Sequence, residues 1–179
     1  SGRLLTKNKK TFTYGRIEAR IKFPGGKGTW PAFWMMGNAG GWPNCGETDI
    51  MEHVGPIPNR ASFALHTVEK NGTRGNNWHS TKMFDYSLAD DFHTYAVEWA
   101  QEEKDGKDVI RFFVDGVQYA EQWEAKIDNN DSWPFNKPHF IILNLAIGGT
   151  MGGSVDDAIF NVPRIMYVDY VRVYQRTEK

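Results

Sequence analysis

Residues 11–23, Thr-Phe-Thr-Tyr-Gly-Arg-Ile-Glu-Ala-Arg-Ile-Lys-Phe, set the pattern for the whole chain. On an extended backbone Ile17, Ala19 and Ile21 fall on one side, and Arg16, Glu18, Arg20 and Lys22 on the other. That period of two marks a strand with one buried face. Gly25-Gly26-Lys27-Gly28 closes it as a turn. Trp30–Met36 is short and apolar, as a buried strand is. Further strands are expected over Gly46–Val54, Ala61–Val68, Trp78–Tyr86, Phe92–Trp99, Val109–Val114, Gln118–Trp123, Phe140–Ile147 and Ile165–Tyr174. Asp115-Gly116, between Ile110–Val114 and Val117–Ala120, is a strong hairpin signal. No amphipathic helical segment exceeds about ten residues by period matching. Evenly spaced strands with almost no helix predict an all-β sandwich, with a barrel as the alternative that the pattern also fits.

The chain has 179 residues, one domain's worth of core. Lys and Arg total 21 against 22 Asp and Glu, a formal net charge of −1, so no global field draws it to nucleic acid or an anionic membrane. No apolar run approaches the roughly 18 residues of a spanning helix, so no membrane insertion is expected. Cys45 is the single cysteine, which excludes an intrachain disulfide framework. Seven Trp, seven Tyr and eleven Phe are more rings than a core needs, and flat rings left over suit a binding surface.

Gly46-Glu47-Thr48-Asp49-Ile50-Met51-Glu52-His53-Val54 carries the chemistry. Strand alternation puts Glu47 and Asp49 on one face and Thr48 and Ile50 on the other. Glu52, five positions from Glu47, falls on the wrong face unless a β-bulge at Ile50-Met51 returns it. Retaining cleavage of a glycosidic bond takes two carboxyl groups about 5–5.5 Å apart, one attacking and one donating a proton. Glu47 and Glu52 are the candidates, with Asp49 between them to orient and tune both. Three acids so close raise the pKa of at least one, as a general acid needs. Two plainer readings compete: a solvated strand face, and a calcium or zinc site built from Glu47, Asp49, Glu52 and His53. Ile50, Met51 and Val54 argue for a buried strand, and alternation turns His53 away from Glu52.

This stretch resembles the active-site signature of glycoside hydrolase family 16, Glu-x-Asp-x-x-Glu. The Met before the last Glu is similar to the bulged laminarinase-like branch; lichenases typically have the shorter Glu-x-Asp-x-Glu. SGRLLTKNKKTFTYGRIEARIKFP, GTWPAFWMMG, FHTYAVEW, IRFFVDG, WPFNKPHFIILNLAIGG and VDYVRVYQ resemble consecutive family blocks in family order. The resemblance implies one catalytic domain over residues 1–179, a concanavalin-like β-jelly-roll sandwich with a concave substrate cleft. It implies Glu47 as nucleophile, Glu52 as general acid/base and Asp49 as the assisting carboxylate, in retaining endo-hydrolysis of β-1,3- or mixed-linkage β-1,3/1,4-glucan. No cofactor is required for that chemistry. The other functions considered are a non-catalytic glucan-binding module, a transglycosylase, and a family enzyme acting on agarose or carrageenan.

Binding residues follow partly from the chain and partly from the resemblance. Trp42, in the loop Gly41-Trp42-Pro43, matches a sugar platform beside the cleavage point. Trp30 and Trp34 share a strand face; Trp34 reads as core, and Trp30 as either cleft or core. Asn144, a lone amide in an apolar strand, needs a partner and matches a substrate-binding residue. His66 matches a histidine near the catalytic acid, and Glu18 and Arg20 match positions that hydrogen-bond sugar. Asp169 matches a ligand of the structural calcium found in many members. Family domains usually carry strands before the SGRL block, so three accounts stand: a fragment whose preceding segment is a partner, strands supplied by a second chain, or a truncated member that folds alone. Thr48 stands where the family prefers an aliphatic residue, and Gly149-Thr150-Met151-Gly152 lacks the usual Asn-Trp. Polymeric glucan cannot enter a cell, so a secreted, periplasmic or cell-surface location is expected.

Overall fold

The computed structural model describes residues 1–179 apart from 74, 103–104, 125–132 and 177–179. The strands are β1 Gly2–Leu5, β2 Gly15–Lys22, β3 Thr29–Gly37, β4 Glu47–Glu52, β5 Arg60–His66, β6 Trp78–Met83, β7 His93–Gln101, β8 Asp108–Val114, β9 Val117–Trp123, β10 His139–Ile147 and β11 Tyr167–Tyr174. They form two antiparallel sheets, ordered β1-β10-β3-β4-β5-β6 and β11-β2-β7-β8-β9. The core lies between the sheets. Ile17, Ala19 and Ile21 of β2 point into it, against Phe33 and Met35 of β3, Ile50 and Met51 of β4 and Phe63 and Leu65 of β5. Trp99 is buried there too. The expected all-β sandwich is present, as a jelly roll.

The sequence pattern located the strands better than their ends. Residues 11–14 are not part of β2: Tyr14 has φ 60° and Gly15 has φ 120°, a turn that delays the strand. A Cβ on Gly15 would lie 2.4 Å from the Tyr174 carbonyl oxygen, so only glycine fits that junction. β1 was not anticipated; four residues without clear alternation give no strand signal. A single helical turn at Gly149–Gly152 and a 3-10 turn at Asp157–Asn161 complete the described elements. β1 and β11 each end a sheet, and Leu4 (73% exposed) on β1 and Val168 and Val171 on β11 leave apolar surface at those edges.

Candidate active site

The site stands on the outer face of the six-stranded sheet, and β4 supplies its acids. Gly46, with φ 77°, leads into β4 where a Cβ would collide with Pro134 at 2.5 Å. On β3, Trp34 pairs with Asp49, Phe33 with Met51 and Ala32 with Glu52; on β5, Ala64 pairs with Asp49 and Ser62 with Glu52. Between Asp49 and Glu52, β4 therefore carries two residues where each neighbour carries one. Those two, Ile50 and Met51, are both fully buried and both belong to the core. The bulge reverses the strand's phase, so Glu47, Asp49 and Glu52 face one side. His53, one residue further on, turns inward: it is buried, stacks on Phe23 at 4.3 Å, and contacts the Arg60 carbonyl oxygen at 2.9 Å.

A cleft of about 400 Å³ opens over these acids. Trp30, Ala32 and Trp34 of β3, Asn144 of β10 and Arg3 of β1 line it with Glu47, Asp49 and Glu52. The Trp30 indole Nε1 donates to Glu52 Oε1 at 3.0 Å. The Trp34 indole Nε1 donates to Asn144 Oδ1 at 2.7 Å, which supplies the partner that the lone amide needs. The Arg3 guanidinium lies over the Trp34 ring at 4.9 Å. Trp42 is 46% exposed, with its ring 6.3 Å from that of His66. His66 places Nε2 3.1 Å from Asp49 Oδ2 and 3.9 Å from Glu47 Oε1, while Nδ1 meets the Asn71 carbonyl oxygen at 3.0 Å.

Burial pushes all three carboxyl groups upward. For Asp49, fully enclosed, burial and the nearby Glu52 charge raise it well above the ordinary range, although its bond to His66 pulls the other way. Burial raises Glu47 against the opposing His66 cation and the hydrogen bonds with Asp49 and Trp42. Burial raises Glu52 too, opposed by the Trp30 bond and helped by the Glu47 charge. Burial alone would lower the His66 imidazole, but the Asp49 hydrogen bond and the Asp49 and Glu47 charges outweigh it and bring it up to about 9. The His66 ring therefore keeps its proton at neutral pH, and the three carboxyl groups are all shifted toward their neutral forms, which suits acid/base work. Donor atoms of Glu47, Asp49 and His66 lie within 4.8 Å of one another, close enough for a metal ion. His66, however, spends on Asp49 the ring nitrogen that an ion would need.

Two expectations are corrected. Glu18 and Arg20 lie on β2, in the opposite sheet, on its outer surface away from the cleft. There Glu18 accepts from Arg16 at 3.0 Å, and Arg20 pairs with Asp169 at 2.8 Å. Asp169 lies with Arg20 in that exposed ion pair. Trp34 is a cleft residue, half-buried, not a core one. Its signal was available, since it shares a strand face with Trp30. Arg3 was missed because β1 was missed.

A jelly-roll sandwich that presents three carboxyl groups among indoles in an open cleft has the parts that cleavage of a glycosidic bond needs. The chain belongs to Glycosyl hydrolases family 16, which it matches over residues 1–168. It is 39% identical over 189 residues to the beta-glucanase of Rhodothermus marinus, covering 99% of this chain and 63% of that protein. It is 36% identical over 186 residues to glucan endo-1,3-beta-glucosidase A1 of Niallia circulans, covering 98% of this chain and 26% of that one. Among solved structures, the laminarinase catalytic domain of Thermotoga maritima superposes with a TM-score of 0.88 at 34% identity, over 98% of this chain and 69% of that one. The chain thus spans less than two thirds of these two curated relatives.

Proposed function

We propose that the chain is the catalytic domain of a secreted or cell-surface enzyme that hydrolyses β-1,3- or mixed-linkage β-1,3/1,4-glucan internally, with retention of configuration. The observation that carries this reading is the Ile50-Met51 bulge, which gathers Glu47, Asp49 and Glu52 on one face of an indole-lined cleft. Glucose rings have apolar faces and hydroxyl edges; Trp30, Trp34 and Trp42 offer the matching flat surfaces, and Asn144 and Arg3 the polar ones.

Glu47 is the nucleophile, because His66 is the nearest cation and lies on its side of the cluster. Glu52 is the acid: Trp30 occupies Oε1 and leaves Oε2 to hold the proton. In the first step a Glu47 oxygen bonds to the anomeric carbon, the glycosidic bond breaks, and the departing oxygen takes the Glu52 proton. In the second step Glu52, now a base, takes a proton from water, whose oxygen displaces Glu47. Asp49, between them, bonds His66 and adds its charge to the field that both glutamates feel.

The test is reducing-sugar release from laminarin and from barley mixed-linkage glucan, side by side, with Glu47→Ala and Glu52→Gln as controls. Turnover of either polymer, lost in Glu47→Ala and reduced roughly 10²–10⁴-fold in Glu52→Gln, is expected. A folded Glu52→Gln protein with full turnover on natural polymer refutes the assignment of the acid.

A further inference from the structure

His66 sits at the end of β5, directly across the ladder from Glu47. Its two ring nitrogens meet different groups. Nδ1 meets the Asn71 carbonyl oxygen at 3.0 Å, and a carbonyl carries no hydrogen, so Nδ1 must be the donor. Nε2 meets Asp49 Oδ2 at 3.1 Å and Glu47 Oε1 at 3.9 Å, again acceptors when ionised. A neutral ring with its proton on Nδ1 would aim the Nε2 lone pair at two carboxylates. Only a proton on Nε2 as well, or one parked on Asp49, resolves the contact.

We infer that His66 is a positioning residue held as an imidazolium between the Asn71 carbonyl and the Asp49 and Glu47 carboxyls, and that its charge keeps Glu47 ionised while the cluster's proton stays on Glu52. The kinetic consequence rests on the glucanase reading above; the ring's charge does not. The surroundings agree. From β4 the ring faces Glu47 and Asp49, with Glu52 beyond them. From the segment after β5 it faces the Asn71 carbonyl, and Gly72 lies close behind it. From the loop before β4 it faces the Trp42 indole. The other cations acting on the acids are Arg3 on Glu47 and Arg60 on Glu52, neither of which bonds Asp49. A cation on one side of a symmetrical pair of glutamates divides their roles: the nearer glutamate becomes the anion and the farther one keeps the proton.

Two measurements test this. The first is the 15N spectrum of histidine-labelled protein at pH 7.5, with His66 assigned by its loss in His66→Gln. The expected result is two protonated ring nitrogens, with a titration midpoint that falls in Glu47→Gln. A neutral His66 ring at pH 7.5 overturns the inference. The second is the pH profile of kcat/KM on laminarin for wild type and His66→Gln. Removal of the cation makes Glu47 harder to ionise, so the acid limb moves up by about 1 pH unit or more. A change confined to KM, with the acid limb unmoved, shows that His66 only touches substrate and also overturns it. A wild type inactive on every glucan would count against the glucanase reading alone, and the 15N titration would still decide the charge.

Discussion

Deletion of Met51 separates the acid face from the core packed beneath it. Ile50 and Met51 together fill the place that one residue fills on each neighbour, and removing Met51 leaves Asp49 and Glu52 two positions apart, matching Ala32–Trp34 on β3 and Ser62–Ala64 on β5. Regular alternation then puts all three acids on the same face without a bulge, and the residues on either side keep their partners. What is lost is a fully buried methionine side chain. Removing such a side chain from a core costs about 2–5 kcal/mol. For a chain of this size each kcal/mol lowers Tm by about 2–4 °C, so the deletion should lower Tm by roughly 4–20 °C. The assay is glucan hydrolysis at a temperature well below the variant's Tm, beside thermal unfolding by circular dichroism. Turnover within about tenfold of wild type, corresponding to about 1.4 kcal/mol at most, is expected. A folded deletion variant that loses activity as completely as Glu47→Ala would show that phase alone does not place Glu52.

Four further outcomes follow from the same geometry. Trp30→Phe keeps the ring but removes the donor to Glu52 Oε1; that bond favours the ionised form, so the Glu52 pKa rises and the alkaline limb of kcat moves up. Asn144→Leu strands the Trp34 indole nitrogen, which should cost about 1–3 kcal/mol in chemical denaturation and raise KM. Arg20→Ala, on the outer surface of the opposite sheet, should leave turnover unchanged and shift stability by less than about 1 kcal/mol, since its pair with Asp169 is exposed. Burial holds the His53 and His139 rings down at about 4, below the ordinary 6.5. The unfolded chain therefore binds more protons, so their contribution is intact above pH 6.5 and is lost as pH falls from 6.5 to 4; urea melts across that range should show the slope, shallower in His139→Phe.

The sequence revealed more of the site than of its frame. Alternation along Glu47–Glu52 was enough to require a bulge, because two adjacent apolar residues interrupted an otherwise regular acid face. It was also enough to turn His53 inward. What alternation cannot supply is which sheet a face belongs to. Arg16, Glu18 and Arg20 form a polar face wherever β2 lies, and only its pairing with β7 and β11, from distant parts of the chain, puts that face opposite the cleft. Asp169 depends on the same long-range register: it sits at the irregularity between Val168 and Tyr170, where Arg20 can reach it. Trp34 was misjudged because an apolar strand does not show which of its faces is covered. Its partner Asn144 lies 110 positions away in sequence, and that distance hides the pair from local patterns.

The central claim is that Glu47 attacks the sugar and Glu52 handles the proton. Its most direct test is a laminaribiosyl fluoride carrying fluorine at C2 of the reacting ring, which slows the second step and lets the covalent intermediate accumulate. Peptide mapping by mass spectrometry then locates the ester. The account predicts a glycosyl ester on Glu47, and β-anomeric product from the unmodified polymer. An ester on Asp49 or Glu52, or α-anomeric product, contradicts it.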